Sequence, residues 1–217
     1  MSDFAQRRTT MVDTQVRPSD VTKFPIIDAM LSIPREVFVP ADKREMAYVG
    51  EHVGLGDGRV VLDPRTLAKM LEVANIENDE LVLDVGSGLG YSAALAAHMA
   101  DAVISLEDSA DRVADAERAL GEAGIDNVAV VEGAFAEGAA KHGPYDVILI
   151  QGGVGQVPDA LSSQLKEGGR IVAIFLDGAL GQVKVGHMTD GRVSWRFAFN
   201  ATAPELHGFE KEQAFAL

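Results

Sequence analysis

From residue 81 onward, short apolar runs alternate with segments of helical periodicity, and this alternation leaves the chain few folds to choose from. The runs cover residues 81–85, 102–106, 128–131, 145–150 and 170–176. Each is nearly continuous in aliphatic residues rather than alternating with polar ones, which suits strands buried on both faces of a parallel sheet. Helical patterns fall near residues 91–99, 110–123, 135–140 and 157–165. Right-handed strand–helix–strand crossovers then build a doubly wound α/β sheet. The last third changes habit. Val183 and Val185, then Val193, Trp195, Phe197 and Phe199, alternate with mostly polar neighbours, and Asp190-Gly191 between them suits a two-residue hairpin turn. Five alternating units followed by an antiparallel pair make a seven-stranded, Rossmann-like sheet.

The first 78 residues have another texture. Pro18, Pro25, Pro34 and Pro40 separate helical fragments. Ile26, Ile27, Met30 and Leu31 follow helix spacing, and Pro34 stops that helix. A glycine-rich stretch spans Gly50 to Gly58, and Pro64 is a good first-turn residue for a helix that buries Leu67, Met70 and Leu71. We therefore expect an N-terminal helical extension with a loop over residues 1–78 and a core over residues 79–217, within the size of one ordinary domain.

Composition narrows the partners. Acidic residues outnumber basic ones 33 to 19, for a net charge of -14. Such a surface repels nucleic-acid backbones and anionic membranes, so neither is expected as a partner. There is no cysteine, which excludes disulfides, thiolate nucleophiles and cysteine zinc sites. The five histidines are scattered, and no metal site is expected. The longest apolar run, about residues 171–176, is far short of the ~18 residues of a membrane span. No apolar signal region follows Met1-Ser2-Asp3, so a cytoplasmic location is expected.

The sharpest local signal is Asp84-Val85-Gly86-Ser87-Gly88-Leu89-Gly90-Tyr91, which follows the first run and opens a helix. Glycines here allow a tight turn and bring backbone atoms against a ligand. A dinucleotide site wants G-x-G-x-x-G, and its third glycine falls here on Tyr91. S-adenosylmethionine has no pyrophosphate to seat on the helix N-terminus, so the G-x-G-x-G spacing favours it over a dinucleotide. Gly86, Ser87, Gly88 and Tyr91 are the loop candidates. Glu107 ends the second run, twenty-one residues after Gly86, where a carboxylate can accept both ribose hydroxyls; Asp108 follows it. Asp84 stands ready for the ligand's amino group. Gly133 and Ala134, followed by Phe135, lie after the third run at the adenine end of the crevice. Gln151, followed by Gly152-Gly153, lies after the fourth, at the methyl-donor end.

These residues resemble a known family. The segment from Ile33 to Pro40 (IPREVFVP) is similar to the "VPRE-FVP" segment of the protein-L-isoaspartate O-methyltransferases, and Ala47-Tyr48 follows at the expected distance. The stretch from Leu83 to Tyr91 resembles that family's LEIGTGSGY loop, and Pro158 and residues 165–170 resemble its fourth crossover and fifth strand entry. The similarity runs over roughly residues 25–177. It implies a seven-stranded S-adenosylmethionine-dependent methyltransferase fold with an N-terminal extension. It also implies methyl transfer to the α-carboxylate of isoaspartyl residues in damaged proteins or peptides. Such a carboxylate oxygen attacks the sulfonium methyl in line and S-adenosylhomocysteine leaves. A carboxylate needs no general base, so the protein supplies orientation and a matched electrostatic environment.

Three departures stand out. The family's G-Q-G-Q-T-I-S-Q-P appears as Gly56-Asp57-Gly58-Arg59-Val60-Val61-Leu62-Asp63-Pro64. Its substrate-side threonine and serine fall on Val60 and Leu62, which donate no hydrogen bond. Losing one such donor to a buried carboxylate costs ~1–3 kcal/mol. Arg59 or Arg65 can clamp a carboxylate instead, and Asp63 would favour a cationic acceptor. The family's G-D-G appears as Gly133-Ala134-Phe135, and its T-A-A as Gln151-Gly152-Gly153. These changes keep two other readings open: a methyltransferase of the same fold with another acceptor, small molecule or protein, and a non-catalytic S-adenosylmethionine-binding module whose tail aromatics Phe199, Phe209 and Phe215 form a contact surface.

Overall fold

The structure is a computed structural model and describes residues 3–178 and 180–211. Phe215 lies outside the described residues. The chain opens with α1 (Phe4–Met11), which widens into a π turn over Val12–Val16, and continues with α2 (Phe24–Ser32). Ile26, Ile27 and Met30 are buried as their spacing predicts, and the backbone leaves the helix at Ile33, before Pro34. Two 3₁₀ turns, Arg35–Phe38 and Ala41–Met46, lead to an antiparallel hairpin of β1 (Val53–Gly56) and β2 (Arg59–Val61). Its turn uses left-handed φ at Asp57 and Gly58, 51° and 73°, the geometry of a two-residue hairpin. Helix α3 (Pro64–Ala74) follows, with Asp63 as its N-cap: the side chain accepts from the Thr66 N–H at 2.9 Å. Leu67, Met70 and Leu71 are buried, as expected.

The large sheet holds β3 (Leu81–Val85), β4 (Ala102–Glu107), β5 (Val128–Glu132), β6 (Tyr145–Val154), β7 (Leu165–Asp177), β8 (Leu180–Thr189) and β9 (Arg192–Asn200). Helix α4 (Tyr91–Ala97) joins β3 to β4, α5 (Ala110–Glu122) joins β4 to β5, and the short α6 (Asp159–Ser162) joins β6 to β7. The spatial order is β5-β4-β3-β6-β7-β8-β9. The pairs β3–β4, β4–β5, β3–β6 and β6–β7 are parallel; β7–β8 and β8–β9 are antiparallel. The seven-stranded α/β expectation holds, including the hairpin at Asp190 and Gly191, with φ of 51° and 69°.

Both faces of the sheet are buried at its centre, in β3, β4 and β6, which is why those strands read as continuous apolar runs; the expectation of two buried faces fails for β5, an edge strand that is only partly covered. Val82 and Val147 join one core with Leu67, Met70 and Tyr91, whereas Leu83 and Ile148 join the other with Phe135, Leu206 and Phe209. The strand order reverses between β3 and β6. Their carboxyl ends open the crevice where ligands of such sheets bind.

Two expected helices are corrected. Residues 135–140 form only 3₁₀ turns, Phe135–Glu137 and Ala140–His142. Gly138 between them takes a φ of 65°, and the Gln164 side chain accepts from the Ala139 N–H at 3.0 Å and donates to the Glu137 carbonyl at 2.7 Å. A tertiary side chain thus replaces the helical ladder. The expected helix over 157–165 shrinks to α6, because β7 already begins at Leu165. Among the described residues no helix is long and apolar enough to cross a membrane.

Candidate functional site

The glycine loop sits where the strand order reverses, between β3 and α4. Gly86, Gly88 and Gly90 take φ of 76°, 68° and 96°, values side-chain-bearing residues rarely adopt. The space beside each is already used by this chain. A Cβ on Gly88 would lie 2.3 Å from Leu55 Cδ1. One on Gly86 would lie 3.2 Å from Leu206 Cδ1 and 3.3 Å from Arg59 Nη2, and one on Gly90 would lie 3.2 Å from Leu120 Cγ. Ser87 is buried, its hydroxyl 2.6 Å from that of Ser105 on β4. Tyr91 is fully buried, its ring under the Arg35 guanidinium at 4.8 Å and beside Phe38 at 5.7 Å. Its side chain is used in packing.

Two buried acids lie at the carboxyl ends of β3 and β4. Asp84 is fully buried and accepts from Ser92 Oγ at 2.5 Å and Gln151 Nε2 at 2.7 Å. Burial pushes its pKa up to about 7, against the pull of those two hydrogen bonds. Glu107, at the end of β4, is also fully buried. Its Oε1 accepts the Gly88 N–H at 2.6 Å and Arg59 Nη2 at 3.0 Å, and its Oε2 accepts Arg59 Nη1 and Nη2, both at 3.3 Å. Burial raises the Glu107 pKa, while the Arg59 charge and the Gly88 N–H pull against it. Asp108 lies 3.6 Å from Arg59 Nη1 and 3.7 Å from Arg112 Nε. Arg112 in turn pairs with Asp57 on the hairpin turn at 3.0 Å.

At the β5 end, the Gly133 N–H donates to the Glu107 carbonyl at 2.9 Å, and Ala134 leads into the turn of Phe135. The Arg59 guanidinium stacks over the Phe135 ring at 4.8 Å. At the β6 end, the C-terminal segment lies against Gly152 and Gly153. Gly153 donates to the Pro204 carbonyl, and Leu206 donates back to the Gly153 carbonyl, both at 2.8 Å. A Cβ on Gly152 would lie 2.5 Å from Leu206 Cγ. Phe209 is fully buried in the core, whereas Phe199 is partly buried beneath Lys69 Nζ.

The acceptor-side candidates separate. Val60 is half-buried, and Leu62 is 2% exposed. Arg35 of the proline-arginine-glutamate segment donates to the Leu62 carbonyl at 2.8 Å and to the Ala47 carbonyl at 2.6 Å. Asp63 is occupied as a helix cap, and its N–H donates to His52 Nδ1 at 2.8 Å. Since Nδ1 accepts, the His52 proton sits on Nε2, which bonds the Thr202 carbonyl at 2.9 Å. Arg65 lines a separate open cleft of about 610 Å³ with Thr14, Ser19 and Lys69. The structure therefore brings together Arg59, Glu107, Asp108 and the glycine loop, and separately Asp84 with Gln151. Sequence reasoning misses Leu55, Ser92 and Leu206 as crevice neighbours, and misses that Arg59 meets Glu107. The replacement of glutamine by arginine in the G-Q-G-Q segment is the one available signal.

Comparison with known proteins agrees with this frame. The sequence profile described as Protein-L-isoaspartate(D-aspartate) O-methyltransferase matches residues 6–193. A protein-L-isoaspartate O-methyltransferase of Koribacter versatilis is 39% identical over 172 residues, covering 79% of this chain and 78% of that protein. Its counterpart in Syntrophus aciditrophicus is 37% identical over 172 residues, with 79% of each chain covered. A solved structure named protein-L-isoaspartate O-methyltransferase superposes with a TM-score of 0.80 at 26% identity, over 93% of this chain and 66% of the other. A Plasmodium falciparum structure, described as a candidate member in complex with S-adenosyl-L-homocysteine, shares the fold with a TM-score of 0.78 at 18% identity, over 95% of this chain and 99% of that one. The chain belongs to the protein-L-isoaspartate(D-aspartate) O-methyltransferase family.

Proposed function

We propose that the chain is an S-adenosylmethionine-dependent methyltransferase that esterifies the α-carboxylate of isoaspartyl residues in damaged proteins or peptides. The observation that carries this reading is the pairing of a left-handed glycine loop with a buried carboxylate, Glu107, at the point where the strand order reverses. The backbone fits the cofactor: the left-handed φ of Gly86 and Gly88 keeps the loop free of Cβ atoms, although Leu55, Arg59 and Leu206 occupy the space beside it here. Glu107 fits the ribose hydroxyls once Arg59 withdraws, and Asp84 with Gln151 stands towards the amino-acid end. When bound, the cofactor supplies the activated methyl group. The acceptor carboxylate is already the nucleophile, so this chain's residues orient it and exclude water.

The division expected from the sequence goes with this reading. Residues 1–78 form the acceptor-side cover and residues 79–217 the cofactor-binding core. A second reading, methyl transfer from the same site to a different acceptor, rests on Val60 and Leu62, which offer no donor. The test is methyl transfer to an isoaspartyl peptide with its aspartyl twin as control. Turnover of the isoaspartyl peptide alone supports the proposal. Equal or absent turnover of both, with cofactor bound, moves the assignment to another acceptor.

A further inference from the structure

We propose that Arg59 is an internal competitor for the nucleoside half of the cofactor cleft, and that the cofactor binds only when the β1–β2 hairpin carrying Arg59 lifts away. This rests on reading the crevice as an S-adenosylmethionine site.

Glu107 is fully engaged by the chain itself. A carboxylate offers about four acceptor positions. Gly88 and Arg59 make four contacts to it, two at each oxygen. Neither ribose hydroxyl finds a free acceptor while Arg59 stays. The guanidinium also lies over Phe135, 4.8 Å from the centre of the ring at the adenine end of the crevice. One side chain thus mimics two features of a nucleoside, a hydrogen-bonding partner for Glu107 and a flat group against an aromatic face.

The rest of the hairpin completes the closure. Leu55 of β1 fills the space above Gly88. Asp57 at the turn is pinned by Arg112, which reaches on to Asp108 beside Arg59. Yet the hairpin is a separate two-stranded sheet, so lifting it breaks no ladder of the seven-stranded one. Exchanging a fully charged, buried partner of Glu107 for two neutral hydroxyls is unfavourable. It should weaken cofactor binding by about 10–1000-fold.

The family's residue at this position, glutamine, cannot form the charged fork. Calorimetry with S-adenosylhomocysteine on the wild type and on Arg59→Gln tests the proposal. The expected result is at least about tenfold tighter binding by the variant. Equal or weaker binding by the variant, alongside clear binding by the wild type, overturns the proposal and leaves the methyltransferase reading intact. Failure of both proteins to bind overturns both. If Arg59→Gln does not fold, hydrogen exchange of the wild type decides. Saturating S-adenosylhomocysteine should speed exchange in residues 53–61, whereas slower or unchanged exchange there contradicts the proposal.

Discussion

The buried guanidinium of Arg35 donates to the Leu62 carbonyl at 2.8 Å while stacking on Tyr91, so one side chain joins the N-terminal extension, the acceptor-side loop and the helix that follows the glycine loop. Replacing Arg35 by methionine keeps the apolar stem but leaves the Ala47 and Leu62 carbonyls without this donor. The expected loss is about 2–4 kcal/mol of unfolding free energy, read by urea denaturation. Arg35→Lys should recover less than half of it, because one ammonium cannot reproduce the planar fork.

Asp84 makes the stability of the fold depend on pH. Its folded pKa of about 7 stands above the ordinary 3.8, so the folded state holds the proton more tightly than the unfolded state. Its contribution to stability is fully present below about pH 4 and is lost as pH rises through about 7. Asp84→Asn removes that titration. The variant should gain on the wild type by roughly 3–4 kcal/mol between pH 4 and pH 8, measured as the difference between their unfolding free energies across that range. A difference independent of pH contradicts the account.

Gly88 is constrained by its φ of 68° and by Leu55, whose Cδ1 would lie 2.3 Å from an added Cβ. Gly88→Ala should cost ~1–3 kcal/mol through backbone strain and overpacking. Adding Leu55→Ala should relieve the steric part, so the two changes cost less together than their sum. Thermal unfolding of the double-mutant cycle reads this coupling.

Restoring donors on the acceptor side should trade stability for turnover. Val60→Thr with Leu62→Ser is expected to raise kcat/KM for an isoaspartyl peptide by about 5–150-fold, the value of one recovered hydrogen bond. Leu62 is 2% exposed, so the serine should also lower stability by roughly 2–4 kcal/mol. Peptide kinetics and thermal unfolding on one preparation separate the two effects.

The fold is legible in the sequence because its information is local. Buried parallel strands such as β3 and β4 announce themselves as apolar runs, and Asp190-Gly191 carries its turn in two residues. The helix expected over 135–140 fails because a distant side chain, Gln164, takes over the backbone groups near Gly138. The helix expected over 157–165 is cut short because its last residue, Leu165, already pairs with Tyr145 in the sheet. The site is legible as a set of candidates and illegible as an arrangement. Glu107 and the glycine loop follow from spacing along one strand–helix–strand unit. Arg59 comes from the hairpin, 48 residues away, and only the folded chain shows that it meets Glu107. Leu206 carries no motif at all, and its place against Gly86 and Gly152 depends on where the segment after β9 returns.

A crystal structure of the wild type grown with S-adenosylhomocysteine tests the central claim most directly. The expected structure has the nucleoside between the glycine loop and Phe135, its ribose hydroxyls on Glu107 and the Arg59 guanidinium displaced. A structure in which the ligand binds elsewhere, or in which Arg59 still forks Glu107 with the nucleoside in place, would contradict it.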